Sequence, residues 1–186
     1  MKFTEEKLEK AFTELLGQEG FPHHLGITIA RKPDEVLIEE DLQNFLLSKY
    51  SSQGITENEV KSIILQLKSL PASDLYESNK TFLKMLSDGF ILKREDRNQK
   101  DIYIQLINYA GLNKQRQPEA EQLISIAAEP EKQYPPDTNI YKFVNQLEIV
   151  GNEKRIPDGI VYINGLPLVV FEFKSAIREE ATIFDA

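Results

Sequence analysis

The chain has 186 residues, of which 41% are hydrophobic and 28% charged, enough for one globular domain with a real core. There is no cysteine, which excludes disulfides and thiolate zinc sites and fits the cytoplasm. The formal net charge is -8, which argues against a protein that grips DNA unaided, because phosphate neutralisation needs a basic face. No apolar run is long enough to span a membrane, and no secretory signal peptide is seen.

The first predicted element is a helix over residues 4–18. Thr4 is a plausible N-cap, and the apolar positions recur at helical spacing (Leu8, Ala11, Phe12, Leu15, Leu16). Glu5 and Glu9 flank this stripe, where acids are ordinarily just solvated. His23 and His24 follow Phe21-Pro22 in a predicted turn, as surface or loop residues. Residues 27–30 are predicted to form a short strand.

Three helices are predicted over residues 40–88. They cover residues 40–50, the segment that follows a Thr56/Glu59 capping box, and residues 79–87 with Phe82, Leu83 and Leu86 inward. These helices could dock DNA or another subunit. A structural helical layer is favoured, because each helix has a normal core stripe.

Strands are predicted over residues 90–93, 102–109 and 140–150. Lys93, Arg94 and Arg97 between the first two are diluted by acids, which favours a solvated turn. Residues 114–139 hold four prolines, and no functional residue is predicted among them. Gln146 is a weak site candidate, since a polar residue in a strand more often just faces water.

A β-hairpin is predicted between Arg155 and Lys174. Ile160–Ile163 and Leu168–Phe173 are apolar runs, and Asn164-Gly165 between them is a strong turn signal. Because both runs are apolar at every position, we expect both strands to be covered on both faces.

The register of this hairpin decides whether its acids meet. Glu172 and Lys174 are two residues apart and share a face. A three-residue loop, Asn164-Gly165-Leu166, would set Ile163 against Pro167 and Asp158 against Glu172. A two-residue loop would set Asp158 against Phe171, with the two acids on different faces.

Two facing carboxylates repel, and a divalent cation would relieve that repulsion. Carboxylate oxygens suit Mg²⁺ and Mn²⁺, and a neighbouring lysine can orient a water or steady developing charge. The plainer interpretation is a structural hairpin whose Glu172 and Lys174 form an ordinary ion pair.

The chain resembles the nuclease domain of the R (restriction) subunit of type I restriction-modification enzymes, within the PD-(D/E)xK superfamily. The resemblance rests on Pro157-Asp158, Glu172-x-Lys174, the string NGLPLVV from Asn164 and the closing ATIFDA. It is densest over residues 141–186 and weaker over the N-terminal helix and residues 79–94.

The resemblance implies metal-dependent cleavage of double-stranded DNA. Asp158 and Glu172 would hold Mg²⁺ or Mn²⁺, with the backbone carbonyl of Phe173 as a further ligand, and Lys174 would position or activate the attacking water. Glu9 matches the acid that the first helix often contributes to the metal. The methylation and specificity subunits would be the partners.

The resemblance also implies a fragment. The family continues into ATP-driven motor domains, and this chain has no phosphate-binding loop, so we expect it to be the N-terminal part of a longer subunit. Residues 114–139 look like an insertion, and the chain after Lys174 is expected to be helical.

The fold class that follows is α/β, a restriction-endonuclease-like mixed sheet with flanking helices and the helical layer of residues 40–88, in one domain of residues 1–186. Two rival functions stay open: a non-catalytic nuclease-like module that anchors the subunit to its partners, and a nuclease of another system. A motor sequence following Ala186 would favour the type I interpretation.

Overall fold

The computed structural model describes residues 5–112, 138–151 and 153–174. Contacts divide the chain into two compact units, residues 1–42 with 140–186, and residues 43–139. Within the described residues the helices are α1 (Glu5–Gln18), α2 (Glu39–Lys49), α3 (Glu57–Lys68), α4 (Leu75–Asp88) and α5 (Tyr109–Leu112). The strands are β1 (His23–Leu25), β2 (Phe90–Leu92), β3 (Ile102–Ile104), β4 (Tyr141–Asn145), β5 (Ile149–Val150), β6 (Lys154–Arg155), β7 (Gly159–Ile163) and β8 (Leu166–Phe171).

The first unit is built on a mixed four-stranded sheet in the order β1-β4-β7-β8. β1 runs parallel to β4, and the other two pairs are antiparallel. The ring of Phe12 in α1 lies 5.9 Å from that of Phe143 and 4.6 Å from that of Phe171, so α1 covers one face. The predicted α/β fold with a mixed sheet and flanking helices is confirmed.

A second apolar cluster belongs to the same unit, and its buried members are Ile38, Val144, Leu147, Ile160 and Tyr162. Val144 follows Phe143 in β4, so alternation places this cluster on the sheet face opposite α1. The Tyr162 hydroxyl donates to the Val36 carbonyl at 3.0 Å. Burial raises the pKa of Tyr162 to about 12, against a smaller opposing effect of Arg31.

The predicted hairpin forms around a two-residue turn. Asn164 and Gly165 have φ angles of 52° and 75°, the left-handed region that the sequence signal anticipates. The Asn164 N–H donates to the Ile140 carbonyl, and the Ile140 N–H donates to Asn164 Oδ1, both at 2.7 Å. These bonds secure the turn against the chain that enters β4.

The predicted three-residue loop is wrong, because Ile163 pairs with Leu166 and not with Pro167. The register then shifts by one residue, since Tyr162 pairs with Pro167 but Val161 pairs with Val169. Leu168 is therefore the extra residue of a β-bulge. Beyond the bulge Gly159 pairs with Phe171, the register that the longer loop would have produced.

The expectation that both hairpin strands are covered on both faces holds for only one of them. β7 is buried from Gly159 to Tyr162. β8 is the edge of the sheet, and its Val169 and Val170 are 45% and 63% exposed. An apolar run does not by itself distinguish a central strand from an edge strand.

The predicted turn at His23 and His24 is instead strand β1, docked on β4; His23 is exposed and His24 half-buried, close to the predicted surface placement. The strand predicted over residues 27–30 is wrong, since Gly26–Thr28 is a 3₁₀ turn. A Cβ at Gly26 would lie 2.5 Å from the Gln146 carbonyl oxygen, so the backbones approach closely there. α1 is confirmed, and Thr4 lies outside the described residues.

The predicted helices are confirmed as α2, α3 and α4. The capping box is present, with Glu59 N–H donating to Thr56 Oγ1 at 3.2 Å and Thr56 N–H to Glu59 Oε2 at 2.9 Å. α4 begins earlier than predicted, because Asp74 caps it. The inward placement of Leu83 is wrong: it is 61% exposed, and Met85 is buried.

The second unit also contains a buried ion pair that the sequence did not reveal. Arg94 is buried rather than part of a solvated turn, with its Nε 2.7 Å from Glu59 Oε1. Its Nη1 and Nη2 donate to the carbonyls of Gln53 and Gly54 at 2.9 and 2.7 Å. Burial alone would raise the pKa of Glu59, but hydrogen bonds from the Thr56 and Glu95 N–H groups and from Arg94 outweigh it and lower that pKa.

β2 and β3 form a separate antiparallel pair, and the strand predicted to reach Tyr109 ends at Ile104, since Tyr109 begins α5. The predicted insertion at 114–139 lies almost wholly outside the described residues, as does the helix expected after Lys174. Across the described ranges, no helix combines the length and apolar character needed to cross a membrane.

Candidate functional site

Asp158 is held at the entry of β7. The residue is half-buried, and its Oδ2 accepts a hydrogen bond of 2.5 Å from the N–H of Phe173. Gly159, the next residue, packs so closely on the Phe143 ring that a Cβ would collide with it. The start of β7 therefore fixes the Asp158 main chain, and a main-chain donor fixes its carboxylate.

Glu172 lies just beyond the end of β8. One step outward from the Gly159–Phe171 pair, the register places it opposite Asp158. Phe171 and Phe173 both contact Phe12 of α1, so alternation directs Glu172 to the other face. Glu172 is exposed, and its sharing of a face with Asp158 follows from continuing that register and stays a prediction.

Phe173 and Lys174 complete this segment. The Phe173 ring packs 5.3 Å from that of Phe12, while its N–H donates to Asp158. Lys174 is exposed and two residues from Glu172, on the same side if the extended path continues.

Glu9 lies on the α1 side of the sheet. Its Oε1 accepts from the Asn145 Nδ2 at 2.8 Å, and Asn145 Oδ1 is 2.8 Å from His23 Nε2. The structure thus brings Asp158 and Phe173 together through the hydrogen bond between them, while Glu9 lies on the α1 side; the convergence of Asp158, Glu172 and Glu9 stays a prediction. Sequence reasoning singled out neither Asn145 nor His23 for the site. Gln146, the weak candidate, follows β4 with a φ of 52°.

The donor set suits a hard cation. Across the part of the chain that the structure describes, no three His, Asp or Glu side chains cluster closely enough to hold a metal alone. Two carboxylates and one carbonyl oxygen are nevertheless a familiar ligand set for Mg²⁺, which retains several waters. One oxygen of Asp158 is occupied by the Phe173 N–H, which aims the carboxylate at the Glu172–Lys174 segment.

Residues 2–186 match the family model of the type I restriction enzyme R protein N terminus. The match covers nearly the whole chain, so this protein belongs to that family. No solved structure matches the chain.

Curated relatives carry names that agree with this family. The chain is 31% identical over 135 residues to the type I restriction enzyme HindI endonuclease subunit of Haemophilus influenzae, covering 71% of this chain and 10% of that protein. It is 27% identical over 126 residues to the putative MjaIXP endonuclease subunit of Methanocaldococcus jannaschii, covering 65% and 10%. The putative MjaVIIIP endonuclease subunit of the same organism is 34% identical over 50 residues, covering 27% and 5%. The chain thus spans about a tenth or less of the length of these relatives.

Proposed function

We propose that this chain is the DNA-cleaving part of a type I restriction enzyme R subunit, and that it hydrolyses phosphodiester bonds of double-stranded DNA with Mg²⁺ or Mn²⁺. Membership of the R protein family supports this proposal, as do the relatives named endonuclease subunits. The positions of Asp158, Glu172 and Lys174 at the open end of the β7–β8 hairpin also agree with it.

One observation carries the proposal. The Asp158 carboxylate accepts a 2.5 Å hydrogen bond from the N–H of Phe173, the residue between Glu172 and Lys174. A purely structural hairpin does not need an acid here. With its carboxylate turned to this segment, Asp158 sits where a cation could share it with Glu172.

The proposed ligands are the Asp158 and Glu172 carboxylates and the Phe173 carbonyl. All are hard oxygen donors. Glu9 would contribute from the α1 side, through a water of the metal shell. When bound, the metal would polarise the phosphate and make its bound water a better nucleophile.

Lys174 is proposed to act on the water and on developing charge. Its ammonium group can donate to the attacking water and orient it, and it can offset negative charge that builds on the phosphate oxygens. Its exposure leaves it accessible to a backbone phosphate.

The partners proposed for the chain follow from its family and its charge. With a net charge of -8 the chain lacks the basic excess that supplies DNA affinity. We expect the methylation and specificity subunits to select the DNA. ATP-driven translocation would belong to motor domains outside this chain.

The test is cleavage of plasmid DNA by the complete enzyme containing the intact R subunit, with Mg²⁺ and ATP. Asp158→Asn and Lys174→Ala should each lower the cleavage rate about a hundredfold or more, while translocation continues. Asp34→Asn and Lys10→Ala, exposed residues of the same unit, are matched controls that should cut normally.

Normal cutting by either site variant would remove the role assigned to that residue. Loss of both cutting and translocation, with the subunit still folded, would favour the rival interpretation of a module that anchors the subunit to its partners.

A further inference from the structure

A chain of three hydrogen-bonded side chains links β1, β4 and α1. Asn145 stands in the middle, with Nδ2 2.8 Å from Glu9 Oε1 and Oδ1 2.8 Å from His23 Nε2. An ionised carboxylate only accepts hydrogen bonds, so the amide must turn its NH₂ group to Glu9. Asn145 Oδ1 must then accept, which makes His23 Nε2 the donor.

The three hydrogen-bonded side chains have one donor-to-acceptor direction, from His23 through Asn145 to Glu9. Asn145 is 7% exposed, so its amide is costly to leave without partners, and both of its ends are used. β1 is parallel to β4, with His23 against Phe143 and Leu25 against Asn145. The strand pairing therefore fixes the histidine beside the amide.

The Glu9 end of this hydrogen-bonded series lies near the proposed metal site. In the β4–β7 register Val144 pairs with Ile160, so one step outward Asn145 lies opposite Gly159. Gly159 directly follows Asp158. Glu9 thus reaches the end of the sheet at which Asp158 enters.

Glu9 needs such support, because its own helix gives it little. α1 has no fully buried residue, and Phe12, one turn beyond Glu9, is its aromatic anchor on the sheet. A glutamate side chain has three rotatable bonds and loses much rotamer entropy when it is ordered. The Asn145 amide supplies the order that packing does not.

We propose that His23 and Asn145 are positioning residues that hold the Glu9 carboxylate ready for the hydrated metal ion at Asp158 and Glu172. This inference rests on the proposed function and goes beyond it. It assigns a role to two residues that neither touch the metal nor belong to the motif. Partners that orient a metal's ligands typically change metal affinity about 10- to 100-fold when they are mutated.

The experiment is a Mn²⁺ titration of the intact protein, followed by the electron paramagnetic resonance signal of free Mn²⁺, with Tm measured in parallel. Asn145→Ala and His23→Ala should each weaken Mn²⁺ binding about tenfold. His23→Gln keeps an N–H donor near the Nε2 position and should restore affinity to within about threefold of the wild type. Glu14→Gln, an exposed change on the same helix, is the control and should leave affinity unchanged.

Glu9→Gln separates positioning from simple docking of α1. The glutamine Oε1 can still accept from Asn145, so Tm should stay at the wild-type value, while loss of the charge should weaken Mn²⁺ binding about tenfold. Adding Asn145→Ala to Glu9→Gln should weaken binding little further, because both changes act through one group.

The results distinguish this inference from the proposed function. If Asp158→Asn abolishes Mn²⁺ binding while Glu9→Gln and His23→Ala bind as tightly as wild type, the positioning role is overturned and the metal site stands. If Asp158→Asn itself binds Mn²⁺ like wild type, the proposed function is overturned.

Discussion

The two units each hold a cluster of opposite charges, and the clusters are built differently. In residues 43–139, Glu59 and Arg94 have side chains only 3% exposed, and the guanidinium also donates to two backbone carbonyls. In the other unit, Glu172 and Lys174 are exposed and Asp158 is half-buried, with one main-chain donor at its carboxylate.

The buried cluster supports the fold, and the exposed one is available to a ligand. Buried charges must be satisfied inside the protein, and Glu59 and Arg94 satisfy each other with the help of nearby backbone groups. Carboxylates at an exposed strand end meet no such demand and can exchange water for a cation. We therefore expect changes at Glu59 or Arg94 to affect mainly stability, and changes at Asp158 or Lys174 to affect mainly activity.

The largest effect on stability should come from removing one partner of the buried pair. Arg94→Met leaves the Glu59 carboxylate buried without its cation and should destabilise residues 43–112 by about 3–5 kcal/mol. Urea unfolding gives the size, and hydrogen exchange of peptides from that region gives the location. Arg97→Met, an exposed neighbour in the same turn, should change stability by less than about 0.5 kcal/mol. Equal losses of stability in Arg94→Met and Arg97→Met would contradict a role of the buried pair in supporting the fold.

The next effect should be a dependence of stability on acid pH. The folded protein holds the pKa of Glu59 below its ordinary value of 4.5, so ionised Glu59 contributes stability above that pH. This contribution is lost as the pH falls from 4.5 through the lowered value. Unfolding free energies between pH 7 and pH 3 should fall less steeply in Glu59→Gln than in wild type. Glu57→Gln, exposed on the same helix, should keep the wild-type slope, and an unchanged slope in Glu59→Gln would contradict the assignment.

The smallest effect on stability should come from the proposed site. Asp158→Asn keeps an oxygen that can accept from the Phe173 N–H, so we expect a change in unfolding free energy below about 1 kcal/mol. Urea unfolding of Asp158→Asn beside Asp34→Asn measures it. A loss as large as that of Arg94→Met would mean that Asp158 supports the fold and would weaken its assignment to the metal.

The sequence predicted best what neighbouring residues decide. The Thr56/Glu59 capping box pairs its main-chain groups within three residues, and Asn164-Gly165 adopts the positive φ angles that its turn requires, so both signals are complete in the local sequence. The hairpin that carries Asp158 and Glu172 was therefore recovered, whereas the register that would set the two acids opposite each other depends on a bulge that the turn signal does not encode.

Distant contacts decided what the sequence missed. Arg94 is separated from Glu59 by 35 residues, and Asn145 from Glu9 by 136, so no local pattern marks either pair. The exposure of Val170 depends on the position of β8 in the sheet, which composition does not determine. The bulge at Leu168 escaped notice because turn chemistry fixes only the first pair of a hairpin.

That bulge decides which way the motif faces. A regular hairpin on the Asn164-Gly165 turn would pair Asp158 with Phe171, and the extra residue Leu168 moves that pairing on to Glu172. Deleting Leu168 would remove the bulge and still leave Glu172 opposite Asp158, because the pairs Tyr162–Pro167 and Val161–Val169 would become consecutive. Regular pairing with Leu168 retained would instead turn the motif over, with Glu172 directed toward α1 and Phe171 outward. The motif therefore tolerates the loss of the bulge residue, but not the loss of the bulge while that residue stays.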